Sequence, residues 1–228
     1  MNRTHNFEID EWYHCYNRGV DKREIFLNHR DYERFLMLLY LANDSEGSSH
    51  INDYRQRNLT HALQKERDDK LVHIGAYALM PNHFHLLLQE VTPGGITTFM
   101  RKIGTGYTMY FNIKNERTGA LFGGAFKSRH VADDIYFKRL INYIHANPAE
   151  LIEPDWKEGK IRNPDRTKDF LSKYPYSSLN DYLQQKRPEK AILNLEPVLQ
   201  TYDEKESLSL ETLLEDAISF ASTEVRPR

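Results

Sequence analysis

The stretch LVHIGAYALMPNHFHLLLQE, residues 71–90, decides the fold. Two apolar, β-prone runs, Leu71–Met80 and His83–Glu90, flank Pro81 and Asn82, which are turn formers. That pattern predicts an antiparallel hairpin, and the apolar character of both runs places it centrally in a sheet. Upstream, WYHCYNRGVDKREIF (residues 12–26) reads as a strand entering a loop. Asp31 then caps a helix in which Tyr32, Phe35, Leu36, Leu39 and Tyr40 recur at helical spacing as far as about Ala42. Downstream of Pro93-Gly94-Gly95, the run from Ile96 to Asn115 is a second helix, with Phe99, Ile103, Met109 and Tyr110 among its buried positions and Gly104 and Gly106 weakening it. Gly104-Thr105-Gly106 follows no strand and lacks a third glycine, so it is not a dinucleotide fingerprint. Residues 119–131 alternate aromatic and basic side chains and read as a loop and a further strand. Asp133 and Asp134 open a helix that Pro148 ends after Asn147. The sum is an α+β fold: an antiparallel sheet with helices packed on one face.

Composition is consistent with one domain carrying extensions. The chain has 228 residues, 39% hydrophobic and 28% charged, which excludes a disordered chain. No apolar run approaches the roughly 18 residues of a membrane-spanning helix, and MNRTHNFEID has no apolar signal core, so the expected location is cytoplasmic. The lone Cys15 excludes an internal disulfide and a cysteine-rich zinc site. The net charge of -2 is unevenly spread: residues 191–228 hold eight acidic and three basic side chains, leaving +3 for residues 1–190. A mildly basic body, residues 1–190 with a polar surface insertion at 43–70, is thus followed by an acidic extension, 191–228. In that extension, Leu208 to Phe220 sets Leu210, Leu213, Leu214 and Ile218 on one stripe, able to pack on the body or bind a partner.

His83 and His85 stand at i and i+2 of a strand, so both imidazoles project from one face and can share a metal ion. In a chain with ten histidines, ordinary hydrogen-bonded residues are the competing reading. Two ligands are too few, so a third must come from elsewhere. The helix from Asp133 offers candidates: Phe137, Leu140, Ile141 and Ile144 form its apolar stripe, while Tyr136, Tyr143 and Asn147 lie roughly 90° from the stripe's centre. Tyr143 and Asn147, four apart, stack on one face. Geometry alone does not choose Tyr143 over Tyr136.

Motifs in order along the chain, YHCYNRG, DYERFL, YALMPNHFHLLLQ, MRKIGTGYTMYFN, GALFGGAFKS, YIHANP and YPYSSLNDYL, resemble those of the REP-associated tyrosine transposases, a branch of the single-tyrosine HUH transposases, from about Tyr13 to Tyr182. The resemblance implies a ferredoxin-like or RRM-like HUH nuclease core, metal ligation by His83, His85 and Asn147, and Tyr143 as nucleophile. It implies magnesium or manganese as cofactor, and single-stranded or hairpin DNA as partner, cut and rejoined through a 5'-phosphotyrosine by a monomer or homodimer. A phenol with a pKa of about 10 needs help to attack at neutral pH. Imidazole ligands suit manganese or zinc better than magnesium, so manganese should bind more tightly in vitro.

The candidate cationic and stacking groups for DNA are Arg18, Lys22, Arg23, Arg101, Lys102, Phe122, Phe126, Lys127 and Arg129, with a merely solubilising surface charge as the competing reading for each cation. Four features depart from the family: the long 43–70 connection, the acidic tail, Glu150 where Arg is frequent, and Ala125 where a basic residue is common. Three rivals stand beside the tyrosine mechanism: a non-transposing DNA binder, a nuclease using metal-activated water, and an interaction module built on the tail helix.

Overall fold

The computed structural model describes residues 7–45, 58–67, 69–201 and 210–223. Four strands, β1 (Trp12–Arg18), β2 (Val72–Met80), β3 (His83–Glu90) and β4 (Lys127–His130), form one antiparallel sheet in the order β2-β3-β1-β4. The longer helices are α1 (His29–Leu41), α3 (Gly95–Lys114), α4 (Asp134–Ala146), α5 (Pro164–Lys173) and α8 (Leu210–Thr223). Short ones are α2 (Leu59–Ala62), α6 (Leu179–Tyr182) and α7 (Leu195–Leu199). The expected α+β class holds, but helices cover both faces of the sheet.

Period-two alternation divides the strands between those two layers. Tyr13, Cys15, Phe84, Leu86, Leu88, Tyr77 and Leu79 point to one side and pack with Phe35 and Leu38 of α1 and with Phe99, Ile103 and Tyr107 of α3. Trp12, Ala76, Ala78 and Leu87 point to the other and meet Phe137, Leu140, Ile141 and Ile144, the predicted stripe of α4. Gly75 sits at a register irregularity between Ile74 and Ala76; a Cβ there would come within 2.8 Å of the Trp12 ring, so glycine is required by close approach.

The hairpin forms as expected, with β3 central. β2 is a sheet edge, and the later chain covers it: Leu79 N–H donates to Tyr176 O at 2.9 Å, Ser178 N–H to Tyr77 O at 3.0 Å and Asn194 N–H to Ile74 O at 2.9 Å. Its apolarity thus reflects burial under a non-strand segment. Arg187 locks this cover by donating to Asp181 Oδ1 at 2.9 Å, Ser177 O at 2.6 Å and Pro175 O at 2.9 Å.

Three local expectations change. The cap of α1 is Asn28; Asp31 is the third helical residue, buried, accepting from the backbone N–H of Leu27 and Asn28 and paired with Lys114 of α3. In α3 the stripe falls on Phe99, Ile103, Tyr107 and Phe111, so Met109 is exposed and Tyr110 half-buried. The helix survives its glycines because its N-terminus is anchored: the buried Glu90 carboxylate accepts from the N–H of Gly94, Gly95 and Ile96 at 2.6, 3.1 and 2.7 Å. Finally, residues 43–70 do not leave the body at Asn43, whose buried amide brackets Leu71 and Val72 with bonds of 2.8 to 3.0 Å. Leu59, Ala62 and Leu63 return to the core, while residues 46–57 and 68 of that insertion lie outside the described residues.

Leu213, Leu214, Ala217 and Phe220 of α8 are buried, and Asp216 accepts from Asn142 of α4 at 3.0 Å. The tail helix therefore spends its apolar stripe on the body; Leu208 lies outside the described residues. No helix among the described residues is long and apolar enough to cross a membrane.

Candidate functional site

The layer beneath α4 is where the sheet departs from a plain hydrophobic core. His83 and His85 lie on its side of β3, with ring centroids 5.1 Å apart. The register sets Tyr16 opposite His85 and Arg18 opposite His83, so all four share one face. His14, diagonal to His85, completes the cluster: its Nε2 lies 2.8 Å from His85 Nδ1, and both rings are buried. His83 Nδ1 lies 2.6 Å from Asn82 Oδ1. An amide oxygen only accepts, so His83 carries its proton on Nδ1 and leaves Nε2 with a free lone pair.

Burial pulls His83 down to about 4, against the opposing pull of Glu150 and with reinforcement from the Lys157 and Arg18 cations. His85 falls well below the usual range through burial first, then the neighbouring His14, His83, Lys157 and Arg18. His14 falls to about 3 through burial and then Arg129. All three are neutral near pH 7, the form in which imidazole ligates a metal.

Tyr143 of α4 is half-buried above them. Its ring centroid is 5.9 Å from that of His85 and 6.3 Å from that of His14, nearly perpendicular to both. Phe220 of α8 and Trp156, from the 3-10 turn Trp156–Glu158, hold the other sides at 5.5 and 6.0 Å. Tyr136 lies against Phe220, with its ring centroid 5.0 Å away, and under the guanidinium of Arg129. The structure thereby separates two tyrosines that helical spacing left equivalent. Asn147, the C-cap of α4, is fully buried; its Nδ2 donates to Tyr143 O at 2.7 Å, and its Oδ1 has no hydrogen-bond partner.

Among the described residues, no three His, Cys, Asp or Glu side chains converge as a metal cage. His83 and His85 supply two neutral imidazoles on one sheet face, and Asn147 an unpartnered amide oxygen at the end of α4, donor types that suit first-row metals. Lys157 adds a cation that spacing did not reveal: its Nζ lies 5.7 Å from the Tyr143 ring centroid and 2.8 Å from Glu150 Oε2. Burial alone would raise the Glu150 carboxyl, but Lys157, His83 and Arg18 together hold it below its ordinary value.

The nine basic and aromatic residues expected to meet DNA divide between the faces. Arg18 flanks His83, while Lys127 and Arg129 stand opposite Tyr16 and His14 on the edge strand β4. Lys22 and Arg23 are exposed on a loop tied to the hairpin turn, where Ile25 N–H donates to Pro81 O at 2.7 Å. Arg101, Phe122 and Phe126 line a separate groove of about 570 Å³ on the α3 side, and Lys102 donates to Asp44 O at 2.7 Å. Sequence reading missed His14, Tyr16, Trp156, Lys157 and Phe220. Only the YH pair at 13–14 could have pointed to the first; the others are brought in by cross-strand register or by late segments.

Residues 47–147 match the family model described as IS200-like transposase, a span that holds His83, His85, Tyr143 and Asn147. Among solved structures it is similar to a REP-associated tyrosine transposase bound to a REP hairpin, at 14% identity and a TM-score of 0.49, covering 83% of this chain and 89% of that one. No curated protein matches the chain.

Proposed function

We propose that this protein cuts and rejoins single-stranded DNA at hairpin-forming repeats, in the cytoplasm, with Tyr143 as nucleophile. The observation that carries the reading is the seat of Tyr143 within one chain, its ring over the His14–His85 pair and its carbonyl bonded to Asn147. The phenol oxygen attacks the phosphorus of a backbone phosphodiester, and the P–O3' bond breaks. The products are a 5'-phosphotyrosine and a 3'-hydroxyl, which takes up a proton as the phenol releases one. Because one phosphoester replaces another, a 3'-hydroxyl can reverse the step without ATP. His83, His85 and Asn147 would hold manganese or magnesium, which when bound polarises the phosphate. Lys157 places a further cation beside the phenol, favouring development of negative charge there. Trp156 and Phe220 fix the ring against rotation and limit water around it.

Since α8 of the same chain clamps α4, Tyr143 serves the histidines of its own chain. The test is a panel of labelled hairpins with manganese, resolved under denaturing conditions. A protein–DNA adduct is expected for wild type and Tyr136→Phe and absent for Tyr143→Phe. Mixing Tyr143→Phe with His85→Ala should not restore it; restoration would mean that the tyrosine acts in trans. Cleavage that persists without an adduct in Tyr143→Phe would establish water as the nucleophile, and tight hairpin binding with no cleavage would establish a binder.

A further inference from the structure

We infer that His14 is a positioning residue that sets the proton, and hence the metal-binding nitrogen, of His85. This rests on the reading of His85 as a ligand. One hydrogen lies between His14 Nε2 and His85 Nδ1, 2.8 Å apart, and it has two possible owners. If His14 donates, neutral His85 carries its proton on Nε2, and both its nitrogens are occupied. If His85 donates from Nδ1, its Nε2 keeps a lone pair and His14 Nε2 accepts. Only the second arrangement leaves His85 able to ligate, so an ion at Nε2 fixes the direction of this bond.

The parallel with His83 is close. There Asn82 Oδ1 can only accept and imposes the same tautomer, with Nδ1 protonated. Each histidine of the pair thus has its own acceptor behind it: an amide from the hairpin turn for His83, and an imidazole from the neighbouring strand for His85. His14 is buried on β1, diagonal to His85, with the Tyr16 ring 5.0 Å away and the Tyr143 ring 6.3 Å away. It is therefore wedged between the sheet and the candidate nucleophile and has little freedom to leave its post. Outer partners that orient a ligating histidine typically change metal affinity by roughly 10–100-fold when removed.

The experiment uses full-length protein without DNA. Manganese is titrated by electron paramagnetic resonance into wild type, His14→Phe, His14→Gln and His85→Ala, with thermal melts run in parallel. His14→Phe should weaken binding by roughly 10–100-fold, and His14→Gln, whose amide oxygen can accept from Nδ1, should recover most of it. Wild-type affinity in a folded His14→Phe overturns the inference. Equal affinity in wild type and His85→Ala overturns the metal reading beneath it, a distinguishable failure. Nitrogen-15 spectra of wild type with zinc as a diamagnetic probe need no variant: His85 should hold its proton on Nδ1, and a proton found on His14 Nε2 would overturn the assignment.

Discussion

The two faces of β1 and β3 are made from alternate residues of the same strands, yet they do different work. Toward α1 and α3 the strands send Cys15, Phe84, Leu86 and Leu88, all buried against aromatic and aliphatic side chains. Toward α4 they send His14, Tyr16, His83 and His85 at the end of the sheet where Arg18 and the hairpin turn meet, with apolar Trp12 and Leu87 confined to the other end. One face holds the fold together; half of the other is given to polar groups that weaken packing and form the candidate site. The contrast predicts which property each substitution damages. Leu86→Ala should lower unfolding free energy by about 2–5 kcal/mol while the folded fraction still forms adduct. His85→Gln, which keeps a polar group for His14, should cost only about 1 kcal/mol and abolish the adduct. Urea titration and adduct gels on the two variants check this; a His85→Gln variant as unstable as Leu86→Ala would erase the division.

A second contrast follows from acid. Among the described residues the buried histidines are His14, His85 and His145, all on the α4 side of the sheet. His145 Nε2 lies 2.8 Å from Ser178 Oγ, and burial, then Arg187, takes its pKa to about 3. Unfolded, the same residue titrates near 6.5. Below that value the unfolded chain binds a proton that the folded chain refuses, so stability is fully present above pH 6.5 and falls as the pH drops toward 3. The slope approaches about 1.4 kcal/mol per pH unit for each such histidine. Urea midpoints at pH 7.5 and 5.5 should therefore separate widely in wild type and less in His145→Gln. An unchanged separation would mean that His145 is not among the groups responsible.

Much of this was legible in the sequence because it depends on period. The hairpin, the shared face of His83 and His85, and the stripe Phe137, Leu140, Ile141, Ile144 each follow from spacing within one element. What needed the fold was pairing between elements. His14 enters the site only through the β1–β3 register, and Tyr143 is set apart only once the His14 and His85 rings and Trp156 are in place around it. Met109 was misassigned because the buried stripe of α3 runs through Phe99, Ile103, Tyr107 and Phe111, which leaves Met109 on the exposed side. β2 was read as central because apolarity reports burial and does not distinguish a neighbouring strand from the covering segment at 176–178.

The smallest expected effect concerns the basic residues, where the faces differ in position and not in composition. Arg129 stands opposite His14 on β4, and its charge is felt at that histidine; Arg101 borders the groove on the far side of the sheet. On the proposed function, a strand bound at Tyr143 would lie on the face of Arg129, whereas Arg101 borders the groove on the opposite face. Arg129→Ala should therefore weaken hairpin binding several-fold and lower the slope of log affinity against log salt by about 0.7, the release expected for one single-strand phosphate contact. Arg101→Ala should change the slope by less. Fluorescence anisotropy across a salt series, on Tyr143→Phe protein so that no adduct forms, reads both. Equal slopes for the two variants would place DNA on both faces and enlarge the interface to include the groove of Phe122 and Phe126.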